Sequence, residues 1–185
     1  MERLKLKAAD DRIFQDCYDK DASILVKIKS FLKFLIVPKF SMEKICPWIR
    51  IGMRLRKYKL NFLSDWCHYR LLKKFNCVIS FKANIGPKLF LPHPIGVVIG
   101  RDVKIGEKVT IYQGVTIGQS KGVFPVIGDN VIIYAGAKIV GDVHIGNNVI
   151  IGANSVVVDS VPDNTIVAGI PARVIKTIND TNNYR

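Results

Sequence analysis

The chain has 185 residues, 49% hydrophobic and 23% charged, a balance that excludes a largely disordered protein and leaves room for one core with a small appendage. The formal charge of +13 is unevenly placed: residues 1–77 carry 18 Lys and Arg against 8 Asp and Glu, whereas residues 78–185 carry 10 against 7. A basic surface draws nucleic acid, anionic lipid and phosphorylated substrates alike, so charge alone selects none of them, and a solvated cationic helix surface accounts for it as well.

The chain opens Met-Glu-Arg-Leu-Lys-Leu-Lys without a continuous apolar stretch, so a secretory signal is not expected. Residues 24–37 place Ile24, Leu25, Ile28, Phe31, Leu32 and Leu35 at helical spacing, but Lys27, Lys29 and Lys33 interrupt them and the run is too short to span a bilayer. After Pro38 a second helical stretch is predicted over about residues 44–74, carrying Ile49, Met53, Leu55, Leu60, Leu63, Trp66 and Leu71. Both are amphipathic and basic, which suits packing on a neighbouring element and also a helix lying on an anionic membrane face. Cys17, Cys46, Cys67 and Cys77 form no CxxC pair and have no histidines at metal-ligand spacing. They read as reduced structural thiols of a cytoplasmic protein, and no zinc site is expected.

From Ile85 onward the pattern becomes a repeat. Ile99, Ile105, Ile111 and Ile117 fall six apart, and Ile127, Ile133, Ile139, Ile145, Ile151 and Val157 resume the same period after a gap. Four residues after most of these comes a second small or aliphatic residue: Val103, Val109, Val115, Val131, Ala137, Val143, Val149, Ser155 and Val161. Gly often follows the Ile directly, as at Gly100, Gly106, Gly118, Gly128, Gly146 and Gly152. Six residues are too few for a hairpin or a helix pair but fit one short strand and a corner, and three such units close a coil of roughly eighteen residues. The predicted fold is therefore mainly β: a parallel β-helix over residues 78–176, preceded by a basic α-helical region over 1–77 and followed by a loose tail over 177–185. A β-sandwich would show alternation with irregular loops instead.

The period breaks twice. It slips to eight between Leu91 and Ile99, and it stretches to ten between Ile117 and Ile127, so residues 118–126 must leave the coil as a loop. A solenoid has no pocket of its own, and an excursion is where a site forms. His93 lies inside the first break, between Pro92 and Pro94.

Five stretches carry a resemblance: Leu91-Pro92-His93-Pro94-Ile95-Gly96-Val97-Val98-Ile99-Gly100; Thr110-Ile111-Tyr112-Gln113-Gly114-Val115-Thr116-Ile117-Gly118; Ala135-Gly136-Ala137-Lys138; Gly152-Ala153-Asn154-Ser155-Val156-Val157; and Ala168-Gly169-Ile170-Pro171-Ala172-Arg173. As an ordered set over residues 78–176 they resemble the hexapeptide-repeat acyltransferase superfamily, in the branch of serine O-acetyltransferase and the colanic acid and capsular polysaccharide O-acetyltransferases. The resemblance implies a left-handed β-helix, a homotrimer with each site in the groove between two chains, acetyl-CoA as co-substrate, and His93 as the catalytic histidine. It also implies that the backbone at Gly118, Ala135 and Ala153 holds the pantetheine arm, with Lys121 or Lys138 near the CoA phosphates; for either lysine a solvated corner explains the charge as well.

An alcohol is too weakly acidic to attack a thioester at neutral pH, so an imidazole must take its proton as the new bond forms. No Ser or Cys stands in a nucleophile context, which favours direct transfer over a covalent acyl-enzyme. Backbone amides at glycine turns, Gly114 and Gly118, are candidate donors to the tetrahedral oxyanion. His144 reads as an outward corner residue and His68 as part of the basic helix, so the three zinc-ligating histidines of a β-helix carbonic anhydrase are missing.

Two departures from serine O-acetyltransferase stand out. The Asp expected fifteen residues before the histidine is Val78 and the residue just before it is Pro92, so a backbone carbonyl is expected to orient the imidazole instead. The Arg-His pair that family places before a Pro in the loop is here Val123 and Phe124 before Pro125, an apolar lip that suits a sugar face better than a zwitterion. The expected function is thus acetyl transfer from acetyl-CoA to a sugar hydroxyl in capsular or exopolysaccharide biosynthesis, in the cytoplasm, with peripheral contact to an anionic inner membrane and no nucleic acid partner. Serine O-acetylation is the alternative, and a non-catalytic β-helix scaffold the alternative of another class.

Overall fold

The computed structural model describes residues 45–178, all within the second of two units of the chain, Met42–Arg185. The predicted helix over 24–37 and the end of the tail lie outside the described residues.

Where one helical stretch was expected there are two helices, α1 (Ile45–Lys57) and α2 (Asn61–Phe75). The break is a left-handed turn at Lys59, φ 60°. The Leu60 amide reaches back to the Leu55 carbonyl at 2.9 Å and the Lys59 amide to Arg56 at 3.0 Å, the paired bonds that close a Schellman C-terminus. Helix α2 also ends on a left-handed residue, Asn76 with φ 51°, but through a single bond from its amide to the Leu72 carbonyl at 2.9 Å. Ile45, Ile49, Cys67 and Leu71 are buried, and the Ser64 hydroxyl donates to the Gly52 carbonyl at 3.2 Å, tying the two helices together. On the side of the first coil, Gly52 lets the Phe81 ring approach so closely that a Cβ would sit 2.2 Å from it. The Arg50 guanidinium donates to the carbonyls of Ile85 and Gly86, and the Cys46 thiol donates to the Leu89 carbonyl at 3.3 Å.

The rest is the left-handed parallel β-helix, of about 4 turns. Short strands, of two or three residues except for the last two, stack into three sheets: β1-β3-β6-β9-β12 (Val78–Ile79, Val98–Ile99, Thr116–Gly118, Lys138–Val140 and Val156–Val157), β10-β7-β4-β2 (His144–Ile145, Val126–Ile127, Lys104–Ile105 and Asn84–Ile85) and β14-β13-β11-β8-β5 (Ala172–Thr177, Thr165–Gly169, Ile150–Ile151, Ile132–Ile133 and Thr110–Ile111). In the first sheet Val78 pairs with Val98, Val98 with Thr116, Thr116 with Lys138 and Lys138 with Val156, giving successive coils of 20, 18, 22 and 18 residues. The long coils are the two with the breaks. Ile99, Ile111, Ile117, Ile133, Ile139, Ile145 and Ile151 are at most 1% exposed, and so are Val103, Val109, Val115, Val131, Ala137, Val149 and Ser155: the two inward columns are the core. Corners are made by left-handed residues in register; at one of them Lys88, Lys108, Asn130, Asn148 and Asn164 all have φ between 53° and 58°. Beside them Asp129, Asn147 and Asp163 accept backbone amides of the preceding rung at 2.7–2.8 Å, an Asx ladder that replaces bonds the corner would otherwise leave unmade.

The C-terminal end departs from the hexad pattern. Strand β13 (Thr165–Gly169) turns back into β14 (Ala172–Thr177), an antiparallel partner on the third sheet. Arg173 bonds Asp159 at 2.9 Å and Ile178 is buried with its amide on the Asn164 carbonyl at 2.7 Å.

Candidate active site

His93 projects from the corner that the two extra residues of the first coil build. Its backbone is held from inside: the buried Cys77 thiol donates to the Pro94 carbonyl at 3.0 Å, and the His93 carbonyl accepts the Ile95 amide at 2.8 Å. Burial pushes the Cys77 thiol above its ordinary pKa, so it stays a proton donor. The imidazole is exposed and makes no hydrogen bond among the described residues; the expected carbonyl partner is not there. Val78 is a half-exposed strand residue and offers no carboxylate. The ring's neighbour is Tyr112, centroids 6.4 Å apart and planes 47° apart, and Tyr112 stacks in turn on Tyr134 at 5.2 Å and 20°.

Below His93 the same corner steps from rung to rung. Amides of Gly114, Gly136 and Asn154 donate to the carbonyls of Ile95, Gln113 and Ala135 at 2.8–2.9 Å, so Ile95, Gln113, Ala135 and Ala153 form one column at about 4.8 Å per rung. Ala135 and Ala153 therefore share an edge with the histidine. The Gly114 amide is spent on Ile95, which removes it as an oxyanion donor, and the Gly114 carbonyl accepts the Lys138 ammonium at 2.6 Å. Lys138 is thus fastened across the coil and partly buried, whereas Lys121 is exposed.

The second break is a small hairpin. Ser120 and Val123 exchange backbone bonds at 3.0 and 3.1 Å around Lys121 (φ 50°) and Gly122 (φ 84°), the paired positive values of a tight two-residue turn. The Gln119 side-chain oxygen accepts the Gly122 amide at 2.6 Å, and the Gly118 carbonyl accepts the Gly141 amide at 3.2 Å at the loop base. Val123 is exposed at the rim; the Phe124 ring covers Gly100, where a Cβ would stand 2.9 Å from it. Gly118, Val123 and Phe124 lie at the far edge of the first sheet from His93.

The tyrosine pair is not among the residues expected from sequence. Its signal was available: the position after the inward Ile is mostly Gly, and Tyr112 and Tyr134 break that habit one coil apart. Among the described residues no cluster of three or more His, Cys, Asp or Glu is placed to hold a metal ion, and no helix is long and apolar enough to cross a membrane.

The family described as "Bacterial transferase hexapeptide (six repeats)" matches residues 124–159. A serine acetyltransferase of Staphylococcus epidermidis is 56% identical over 98 residues, 51% of this chain and 46% of that protein, so the chain spans about half the length of the curated relatives it matches. Among solved structures, the serine acetyltransferase of Brucella abortus strain S19 superposes with a TM-score of 0.73 at 32% identity, over 96% of this chain and 72% of that one. The Brucella abortus enzyme in complex with coenzyme A gives 0.73 at 30% identity, over 95% and 69%. The chain belongs to the hexapeptide-repeat acyltransferases, in the branch that holds the serine acetyltransferases. These names agree with the serine alternative better than with the sugar hydroxyl expected from the loop.

Proposed function

We propose that this protein is an acetyl-CoA-dependent O-acetyltransferase in which His93 is the general base. The observation that carries the reading is the placement of an exposed imidazole, on a backbone anchored by Cys77, at the head of a corner column that runs past Ala135 and Ala153. In this reading the thioester arm lies along that column. The imidazole takes the acceptor hydroxyl proton as oxygen attacks the acetyl carbon, then returns it to the departing thiolate. Family members solved with coenzyme A support acetyl-CoA as co-substrate. Lys121 and Gly118 are proposed contacts of the CoA arm on the loop side; Lys138 contributes there only if it leaves the Gly114 carbonyl.

The names of the relatives support L-serine as the acceptor. One observation favours the second reading, a sugar hydroxyl of capsular or exopolysaccharide synthesis. The two loop positions that would hold an amino-acid carboxylate carry Val123 and Phe124, and the Phe124 ring is packed on Gly100. A free-thiol assay with acetyl-CoA, setting L-serine against monosaccharides and oligosaccharides, decides between them: the faster acceptor class is the substrate class. No acceptor rate above hydrolysis would overturn the enzymatic reading and leave the scaffold.

A homotrimer is part of the proposal, supported by the resemblance to the hexapeptide-repeat acyltransferases. A cytoplasmic setting is supported by Cys46, Cys67 and Cys77 being free and buried. Contact with an anionic inner leaflet is supported by exposed Tyr58 and Phe62 beside Lys57 and Lys59. No co-sedimentation with anionic vesicles at low salt would remove it.

A further inference from the structure

A general base must be held in one rotamer. An imidazole free to rotate spends part of its time with its lone pair off the attacking hydroxyl, and the rate falls by that fraction. In enzymes of this kind of chemistry a carboxylate or carbonyl on the second nitrogen does the holding. Here neither is present among the described residues: Val78 and Pro92 carry no acceptor side chain and no hydrogen bond reaches the ring.

The ring does have one neighbour. Tyr112 stands one rung below, 6.4 Å between centroids and tilted by 47°, a centroid distance over which aromatic rings still attract. Tyr112 is itself fixed. Its backbone amide donates to the Ile133 carbonyl at 3.0 Å, and its ring is stacked on Tyr134 at 5.2 Å and 20°. The spacing is close to the distance between rungs, so the coil register sets the stack. Below Tyr134 the column continues as Gly152, where a Cβ would stand 2.8 Å from Ala168, so the aromatic row ends there and has no other member. Most other outward positions after an inward Ile are Gly in this chain, and the two tyrosines fall only on the coils directly beneath the histidine.

We infer that Tyr112, clamped by Tyr134, is a positioning residue that orients the His93 imidazole in place of the missing carboxylate. The inference rests on His93 being the base. An aromatic contact of this kind shifts a rotamer balance by about 2- to 10-fold, so Tyr112→Leu is expected to lower kcat by about that factor and to leave KM for acetyl-CoA unchanged. Tyr112→Phe, which keeps the ring and loses the hydroxyl, restores most of the rate, and Tyr134→Leu, which loosens the clamp, gives a smaller loss.

The experiment measures kcat and KM with the best acceptor for these variants in wild-type and His93→Ala backgrounds. It also measures the ring-current shift of the His93 imidazole protons by NMR. Agreement requires that Tyr112→Leu cost activity only when His93 is present, and that the ring-current shift be lost in Tyr112→Leu and kept in Tyr112→Phe. Wild-type kcat in Tyr112→Leu while His93→Ala is inactive overturns the positioning role and leaves the base intact. Equal activity of His93→Ala and wild type overturns the base itself, and this inference with it. Thermal midpoints of all variants within a few degrees of wild type exclude misfolding; if Tyr112→Leu fails to fold, Tyr134→Leu carries the same comparison.

Discussion

At the residue scale, Cys46 shows how burial and charge compete. Its thiol is pushed up to about 12 from an ordinary 9.0, because burial penalises the thiolate more than the nearby Arg50 charge favours it. The sign follows. In the unfolded chain the thiol loses its proton near pH 9, while in the folded protein it keeps it to about 12, so its contribution to stability is complete below pH 9 and lost as pH rises through that window. The slope approaches about 1.4 kcal/mol per pH unit. Denaturant unfolding at pH 8 and pH 10.5 is expected to show a larger loss for wild type than for Cys46→Ala; equal losses would contradict the burial. The buried Cys67 and Cys77 thiols are raised in the same direction, so native protein is expected to leave all three unlabelled by a thiol reagent at pH 8 until denaturant is added.

At the element scale, Gly52 sets two effects against each other. Replacing a mid-helix glycine by alanine favours the helix by about 0.5–1 kcal/mol, but here the new Cβ would meet the Phe81 ring at 2.2 Å. Overpacking of that kind costs about 1–3 kcal/mol, so Gly52→Ala is expected to destabilise the protein, read as a lower urea midpoint. Lys59→Gly is expected to go the other way by up to about 1 kcal/mol, because it relieves a left-handed lysine. The same two residues mark what the sequence leaves hidden. Left-handed turns at Gly122 or Asn76 follow residue preference, whereas Lys59 carries no such mark, and one helix was read where two exist. The β-helix was legible because each inward Ile is an independent vote for the same period. Both breaks were legible for the same reason, and they are the coils of 20 and 22 residues. The C-terminal hairpin was not: Ile166 and Val167 are as apolar as any strand of the coil, and only the reversal after Gly169 separates them.

At the scale of the whole molecule, coils touch only their neighbours, and the two inward columns are the continuous element. Ile139 is fully buried between the rungs of Ile117 and Val157. Ile139→Ala is expected to cost about 2–5 kcal/mol, read as a lowered urea midpoint without change in m. The candidate site depends on this scaffold differently at its two ends. His93 was visible in sequence as a histidine in a skipped beat, and the corner column beneath it follows from the register. Its surroundings were not visible: the spent Gly114 amide, the engaged Lys138 and the tyrosine row are products of stacking residues about twenty apart. The most direct measurement is the rate of free-thiol release from acetyl-CoA with the preferred acceptor, wild type against His93→Ala. A loss of about 10²- to 10⁴-fold at unchanged thermal midpoint is expected for a general base; equal rates in the two proteins would contradict it.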